Sequence, residues 1–323
     1  MSVLIQTQNL VKRYGNLFAV NGVSMTIESG AIVGLVGRNG AGKTTLIRLL
    51  TGLAKPTSGT FQIMPEEKRS DTSVAAIVER PSVYLNMSGL ENLKAQSHLL
   101  GLPIDQEYLK STLQLVRLDP ESKKKVKDYS LGMRQRLAIA MTLVGKPKLL
   151  ILDEPTNGLD PQGIHDMREI FVNLNQKFGV TLLVSSHILT ELGKFATEFY
   201  FMERGRIIKH ATAEEIATNS QKRLRITVDN TPKAIEVVRG MSAPQVDSTT
   251  EEATTDTLTE PQPVEIKVQA VAVDTIEIVG EIPTTQILLA LAQNGITATN
   301  VVTLGDDLES YYISLLNGGA HHA

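Results

Sequence analysis

The residues best placed to do chemistry are Gly37-Arg38-Asn39-Gly40-Ala41-Gly42-Lys43-Thr44. They read G-x-x-x-x-G-K-T, the spacing of a phosphate-binding loop. Glycine has no Cβ, so successive backbone N–H groups can curl inward around an anion. Lys43 can reach the β- and γ-phosphates of a nucleotide, and the Thr44 hydroxyl can face Mg²⁺. A second group is Asp153-Glu154, which directly follows the apolar run Leu149-Leu150-Ile151-Leu152. Four buried residues and then Asp describe a strand that delivers a metal ligand beside a phosphate loop. Glu154, one residue on, is placed to polarise a water for in-line attack, help typically worth about 10²–10⁴-fold. The third is His187, at the end of Val180-Thr181-Leu182-Leu183-Val184-Ser185-Ser186. A lone His is usually structural. At the C-terminal end of a core strand in an α/β sheet it faces the ligand crevice, which favours a γ-phosphate role.

These groups need rigid elements to hold them. Ala31 to Val36 reads as a buried parallel strand running into the loop, and Thr45 to Leu50 as a helix that stops at Gly52. The start of that helix points its partial positive charge at the phosphates. Upstream, Val3 to Gln6, Phe18 to Val20 and Val23 to Ile27 read as strands, so an antiparallel β layer precedes the parallel core. Tyr14 can either cover an adenine ring or end a strand packed on the sheet; stacking of that kind is worth about 1–3 kcal/mol per base.

Phe61 to Met64 and Val74 to Val78 are further strands, with the charged turn Glu66 to Asp71 between them and Glu79-Arg80-Pro81 ending the second. From Ser88 to about Leu118 the apolar period is helical, with stripes on Leu90, Leu93 and Leu100 and on Leu109, Leu113 and Val116 that suit core packing. Lys123-Lys124-Lys125 and Lys127 read as a solvated basic face. Tyr129-Ser130-Leu131-Gly132-Met133 opens a helix expected over Arg134 to Val144. Thr156 to Pro161 is a tight loop before a helix over Ile164 to Phe178, and Glu191 to Phe195 is a short helix. Phe199 to Met202 and Gly205 to Ile208 form a hairpin. His98, His165 and His210 lack a comparable setting and read as structural.

Composition narrows the classes. The chain has 323 residues and is 42% hydrophobic, enough for two domains with buried cores. A net charge of −3 argues against a surface that coats nucleic acid. Aromatic residues are only 4%, so base-stacking platforms are scarce as well. There is no Cys, which excludes disulfides and thiolate metal sites. The start Met1 to Gln6 lacks a signal peptide's basic and long apolar regions, and no apolar run approaches the ~20 residues that span a bilayer. A membrane role is expected to be peripheral and through a partner, at the cytoplasmic face where ATP is available.

Together the motifs resemble the nucleotide-binding subunit of an ABC transporter, over residues 2 to about 220. The resemblance implies an α/β fold: a P-loop NTPase (RecA-like) core with an antiparallel β layer and a helical subdomain at about 81–146. It implies ATP and Mg²⁺ as ligands. Tyr14 matches the adenine-stacking aromatic, and Gly37 to Thr44 with Thr45 the phosphate site. Thr44, Asp153 and Glu79 match the metal site, and Glu154 and His187 the catalytic pair. Ser130, Leu131, Gly132 and Met133 match the signature motif, usually Leu-Ser-Gly-Gly-Gln, and Asp160 lies in the loop that crosses a dimer interface. The family resemblance implies a head-to-tail dimer with ATP sandwiched between subunits, so that Ser130 and the Gly132 N–H would touch the γ-phosphate held by the opposite copy.

Two departures place the chain within the family. Glu79 stands where Gln is usual, a position that joins the metal site to the membrane-subunit contact. Leu131 and Met133 replace a Gly and the final Gln of the signature. Both resemble the branch that includes bacitracin-resistance and lantibiotic-immunity ATPases, which pair with separate membrane permease chains and expel antimicrobial peptides.

From about Lys222 the composition changes. Leu224 to Val228, Val264 to Val273, Thr275 to Val279 and Ala298 to Thr303 read as strands. Pro232 to Arg239, Thr284 to Asn294 and Asp307 to Leu316 read as helices. Between them Gly240 to Ile266 contains no Lys or Arg and is rich in Thr, Asp and Glu, so a flexible acidic loop is expected at about 241–262. Residues 221–323 form a small C-terminal α+β domain that resembles the accessory domain of the same branch, suited to dimer contact or regulation. His321-His322 reads as a frayed tail.

The function expected is ATP hydrolysis that drives export through partner permeases. A soluble, non-transport ABC ATPase acting on ribosomes or DNA is the alternative; those usually carry two cassettes or a long coiled-coil insertion, and this chain has one cassette and no sustained heptads. A kinase would leave Ser130, Gly132 and His187 unexplained, and no N-K-x-D motif supports guanine recognition.

Overall fold

A computed structural model describes residues 2–63, 73–79, 82–219, 223–241, 266–280 and 282–304, with 308, 311–313 and 315 beyond them. The turn at Glu66 to Asp71, nearly all of the acidic stretch at 241–262, and His321-His322 lie outside the described residues. Contacts divide the chain into two units, Met1–Glu214 and Glu215–Ala323, a boundary six residues before the expected end at 220.

The first unit begins with β1 (Val3–Tyr14), β2 (Leu17–Glu28) and β3 (Ile32–Val36), followed by α1 (Lys43–Leu50), β4 (Ser58–Ile63) and β5 (Val74–Ile77). Next come α2 (Gly89–Leu99), α3 (Gln106–Leu115) and α4 (Leu131–Leu143), then β6 (Leu149–Asp153), α5 (Pro161–Phe178) and β7 (Thr181–Ser186). It closes with α6 (Leu189–Leu192), β8 (Glu198–Glu203), β9 (Arg206–Thr212) and α7 (Ala213–Asn219), the last of which straddles the division.

The central sheet runs β5-β6-β7-β3-β8-β9, parallel except for β9. Every residue of β3, β6 and β7 is buried, as a parallel sheet covered on both faces requires. Their unbroken apolar runs made these strands readable. The ends of β3, β6 and β7 lie side by side, with Val36 opposite Ser186 and Asp153 opposite Ser185. That register gathers the phosphate loop, the Asp-Glu pair and His187 at one edge of the sheet. A second sheet, β2-β1-β4, is antiparallel and shares one core with β3 and α1 through Leu10, Val20, Ile27, Leu46 and Tyr200.

Several boundaries differ from expectation for local reasons. Phe18 to Val20 and Val23 to Ile27 are one strand, because Gly22 takes φ 73° and lets β2 continue past an irregularity. Helix α4 starts at Leu131, not Arg134, because Ser130 caps it by accepting from the Met133 N–H. Helix α5 starts at Pro161, not Ile164: Asp160 accepts from the Gly163 N–H, and proline suits the first helical position. Strand β7 stops at Ser186, one residue before His187. Helix α2 carries a full capping box, Ser88 with Glu91.

The second unit contains β10 (Arg223–Val228), α8 (Thr231–Arg239), β11 (Lys267–Ala272), β12 (Thr275–Val279), α9 (Thr284–Gln293) and β13 (Ala298–Leu304). The order β11-β12-β10-β13 is wholly antiparallel, a split βαββαβ arrangement. Leu224, Ile226, Val268, Ile276 and Ile278 join Ala234, Val238, Ile287 and Leu291 in its core.

Candidate nucleotide-hydrolysing site

The loop between β3 and α1 is fixed by close packing. A Cβ at Gly37 would lie 2.4 Å from the Met202 carbonyl oxygen, and one at Gly42, where φ is 109°, 2.3 Å from that of Ala19. Neither position tolerates a side chain. Arg38 and Asn39 are exposed at the loop's tip, and Gly40 turns with φ 83°. The Ala41 N–H donates to the Arg38 carbonyl at 3.0 Å, while the Ala41 carbonyl accepts from the Gly205 N–H at 2.8 Å. Helix α1 has no side-chain cap at Gly42, so the first-turn N–H groups of Lys43, Thr44 and Thr45 have no partner of that kind. Such a helix start is an anion site.

Lys43 is only 5% exposed. Its Nζ donates to the Gly37 carbonyl at 2.6 Å and to that of Arg38 at 3.4 Å, and lies 3.2 Å from Glu154 Oε1. The other oxygen, Glu154 Oε2, is 2.5 Å from His187 Nδ1. A carboxylate only accepts, so Nδ1 carries the hydrogen of this contact. Lys43, Glu154 and His187 thus form one chain of contacts at the strand ends. Glu154 holds φ 49°, a conformation rare for a residue with a Cβ and common at functional sites.

Ser185 was not foreseen. Fully buried on β7, its hydroxyl donates to Asp153 Oδ1 at 2.6 Å and accepts from the Glu154 N–H at 2.9 Å. One hydroxyl therefore orients both carboxylate residues. The strand ends in two buried serines, and the sequence does not distinguish which of them meets Asp153. Asp153 itself is buried, and with Thr44 it supplies hard oxygen donors of the kind Mg²⁺ accepts.

Tyr14 ends β1, 47% exposed, with Lys12 Nζ 4.9 Å from its ring centre. The ring is an open platform rather than a core side chain. Glu79 follows β5 with φ 64° and pairs with Arg48 of α1. The signature residues lie elsewhere. Ser130 caps α4 and Leu131, Gly132 and Met133 start it, with Leu131 and Gly132 against the loop that precedes Asp160. A Cβ on Gly158 would be 3.1 Å from Leu131 Cδ2, and one on Gly132 3.4 Å from Leu159 Cδ2. Gln135 Nε2 donates to the Asn157 carbonyl at 3.3 Å. Among the described residues no hydrogen bond or ion pair joins Ser130, Leu131, Gly132, Met133 or Asp160 to the phosphate loop of the same chain.

Residues 20–157 match the family model described as ABC transporter. A bacitracin transport ATP-binding protein of Enterococcus faecalis is 33% identical over 99% of this chain and 98% of its own length. A lantibiotic transport ATP-binding protein of Streptococcus pyogenes is 42% identical over 64% of this chain and 89% of its own. Among solved structures, an ATP-binding subunit of an ABC transporter superposes with a TM-score of 0.58 at 29% identity, covering 67% of this chain and 92% of that one. An ATP-binding cassette in its ADP conformation, at 24% identity and a TM-score of 0.60, shares the fold over 68% of this chain and 96% of its own. With its phosphate loop, buried Asp153 and Glu154–His187 contact, the chain belongs to the ABC transporter family as an ATP-binding subunit that hydrolyses ATP.

Proposed function

We propose that this ATPase powers export of an antimicrobial peptide or antibiotic through separate permease subunits at the cytoplasmic face of the membrane. The observation that carries the cargo class is the end-to-end similarity to a bacitracin transport protein, which extends through the C-terminal unit. No described helix is long and apolar enough to cross a membrane, so permeation falls to partner chains. A groove of about 520 Å³ between β5, α1 and the helices α2 and α4 offers them a seat, lined by Leu50, Leu53, Ile77, Leu100 and Met141. Glu79 sits after β5 at that groove's border.

At the site, Thr44 and Asp153 would hold Mg²⁺, which supplies charge neutralisation to the β- and γ-phosphate oxygens. Tyr14 stacks on adenine, and the N–H groups of Gly40, Gly42, Lys43, Thr44 and Thr45 bind phosphate oxygens. Lys43 turns from the Gly37 carbonyl and Glu154 toward the phosphates, which frees Glu154 Oε1 to accept a proton from the attacking water. His187 keeps Glu154 in place through Oε2, and its contact with the γ-phosphate, whose oxygens only accept, requires an N–H donor on the ring. Glu79, now paired with Arg48, would be a further oxygen donor to that metal only on leaving Arg48, and on that reading it couples the groove to the site. Ser130 and the Gly132 N–H complete the site from a second copy, with Asp160 at the interface. The start of α4 is exposed and directed by its cap, as that task needs.

The test is expression together with the permease subunits of a bacitracin or lantibiotic transporter in a susceptible host. Resistance to bacitracin or a lantibiotic should rise, and Glu154→Gln should abolish the rise. If the permeases co-purify and ATP is hydrolysed while resistance to both stays at the level of the empty host, the cargo assignment is wrong.

A further inference from the structure

The two outer edges of the C-terminal sheet differ in kind. Strand β11 begins with Lys267 and breaks register between Ala270 and Ala272, and its neighbour α8 carries Lys233, Glu236 and Arg239. Charges and mid-strand bulges are the usual protection of a free edge. The opposite side carries no charge, and its one irregularity lies at the start of the strand rather than in the middle. From residue 282 to residue 305 there is no Asp, Glu, Lys or Arg, in a chain that is 21% charged. This neutral stretch is all of α9 and all of β13, which pack on one another. After an irregularity at Thr299, β13 runs in unbroken register with β10, from Asn300 opposite Thr227 to Leu304 opposite Arg223. Among the described residues nothing pairs with its outer side. Val301 and Val302, on opposite faces of the strand, are 37% and 42% exposed, and Leu289 on α9 is 59% exposed.

We propose that the β13 edge is a self-association surface, pairing antiparallel with β13 of a second copy to join two sheets into one. Three features select a second copy as the occupant. A two-fold axis through an antiparallel strand pair makes the contact isologous, so one surface suffices for both partners. Asn300, Val301 and Val302 then oppose only residues of this same uncharged segment, without the like-charge opposition that destabilises cross-strand pairs. The valines and Leu289 add apolar rims on both faces of the shared ladder. The surface is small, so it acts as a second clasp on subunits that already meet at their nucleotide sites. It rests on the two-copy arrangement proposed above, and persists when ATP is absent.

The chain's lack of cysteine gives a clean test on the full-length protein. Single substitutions Asn300→Cys, Val301→Cys and Val302→Cys are oxidised mildly without nucleotide, with Ala270→Cys on the other edge as control. Directly opposed residues in an antiparallel pair have Cα atoms about 4.5–5.5 Å apart, within disulfide reach. One of the three should cross-link at least about tenfold faster than Ala270→Cys, with ATPase activity retained. Val301→Lys should abolish nucleotide-free association in sedimentation. Equal, slow cross-linking at all four positions overturns the proposal, as does cross-linking only when permease or lipid vesicles are added. ATP-trapped dimerisation of Glu154→Gln is read separately. If that dimer forms and the β13 cysteines stay reduced, the edge assignment alone fails; if neither occurs, the two-copy site fails as well.

Discussion

Ser185→Ala isolates the link that holds the two acidic residues in register. The hydroxyl makes a bond to the buried Asp153 carboxylate at 2.6 Å and receives the Glu154 N–H at 2.9 Å. Losing a hydrogen bond to a charged group costs about 1.5–3 kcal/mol, and a neutral one about 1. Ser185 is fully buried, so water cannot simply replace the hydroxyl. Ser185→Ala should therefore lower folding stability by about 2–4 kcal/mol, read from denaturant unfolding. Catalysis should suffer too, since Glu154 would lose the anchor of its φ 49° backbone. Loss of a group that orients a metal ligand typically costs about 10–100-fold. That range corresponds to about 1.4–2.7 kcal/mol in the barrier. The expected signature is a lower kcat and a raised half-saturating Mg²⁺ concentration, with metal-free nucleotide binding nearly unchanged. Lys43 and the loop amides are untouched by the substitution. A variant whose kcat stays within about twofold of the parent, at unchanged Mg²⁺ demand, would show that Ser185 is only a packing residue.

Other outcomes follow from the same geometry. Lys43→Ala should weaken ATP binding by removing the ammonium inside the loop, while Glu154→Gln should keep binding and trap a dimer; equilibrium nucleotide binding and gel filtration separate the two, and wild-type turnover by Glu154→Gln would refute its role as base. Glu79→Ala should impair resistance more than basal ATP hydrolysis, because Glu79 pairs with Arg48 of α1 and directly follows Val78, which lines the groove; equal losses in paired assays would remove the coupling role. The Glu91 carboxylate, which accepts from the Ser88 N–H and hydroxyl and faces Lys125, is lowered to about 2. Its contribution to α2 should be fully present above its ordinary value near 4.5 and lost as pH falls through about 2. A carboxyl resonance of Glu91 titrating near 4.5 would contradict that.

How much of this was readable from the chain depends on whether a residue acts through its neighbours in sequence or across the sheet. The phosphate loop is local as a pattern: Gly37, Gly42, Lys43 and the start of α1 lie within eight positions, so the spacing alone conveys the chemistry, while the packing that holds it, against Ala19, Met202 and Gly205, was not readable. The strands that carry Asp153 and the approach to His187 were readable because parallel strands buried on both faces leave continuous apolar runs. Helix starts were misplaced by three residues at Arg134 and Ile164, because an apolar period shows where a helix packs, whereas the caps Ser130 and Asp160 set where it begins. Ser185 is the opposite case to the loop. Nothing in Val184-Ser185-Ser186 signals that one serine meets Asp153; the β6–β7 register puts them opposite each other. The hydrogen bonds of Glu154 divide in the same way. Its place after Asp153 was visible, but its simultaneous hold on Lys43 and His187 exists only because three strands end at one height. That clasp implies an order of events: as long as Lys43 occupies Oε1 and His187 occupies Oε2, the carboxylate is a poor base. Under the proposed roles, phosphate drawing Lys43 away would arm it and tie the hydrolytic step to a correctly bound triphosphate.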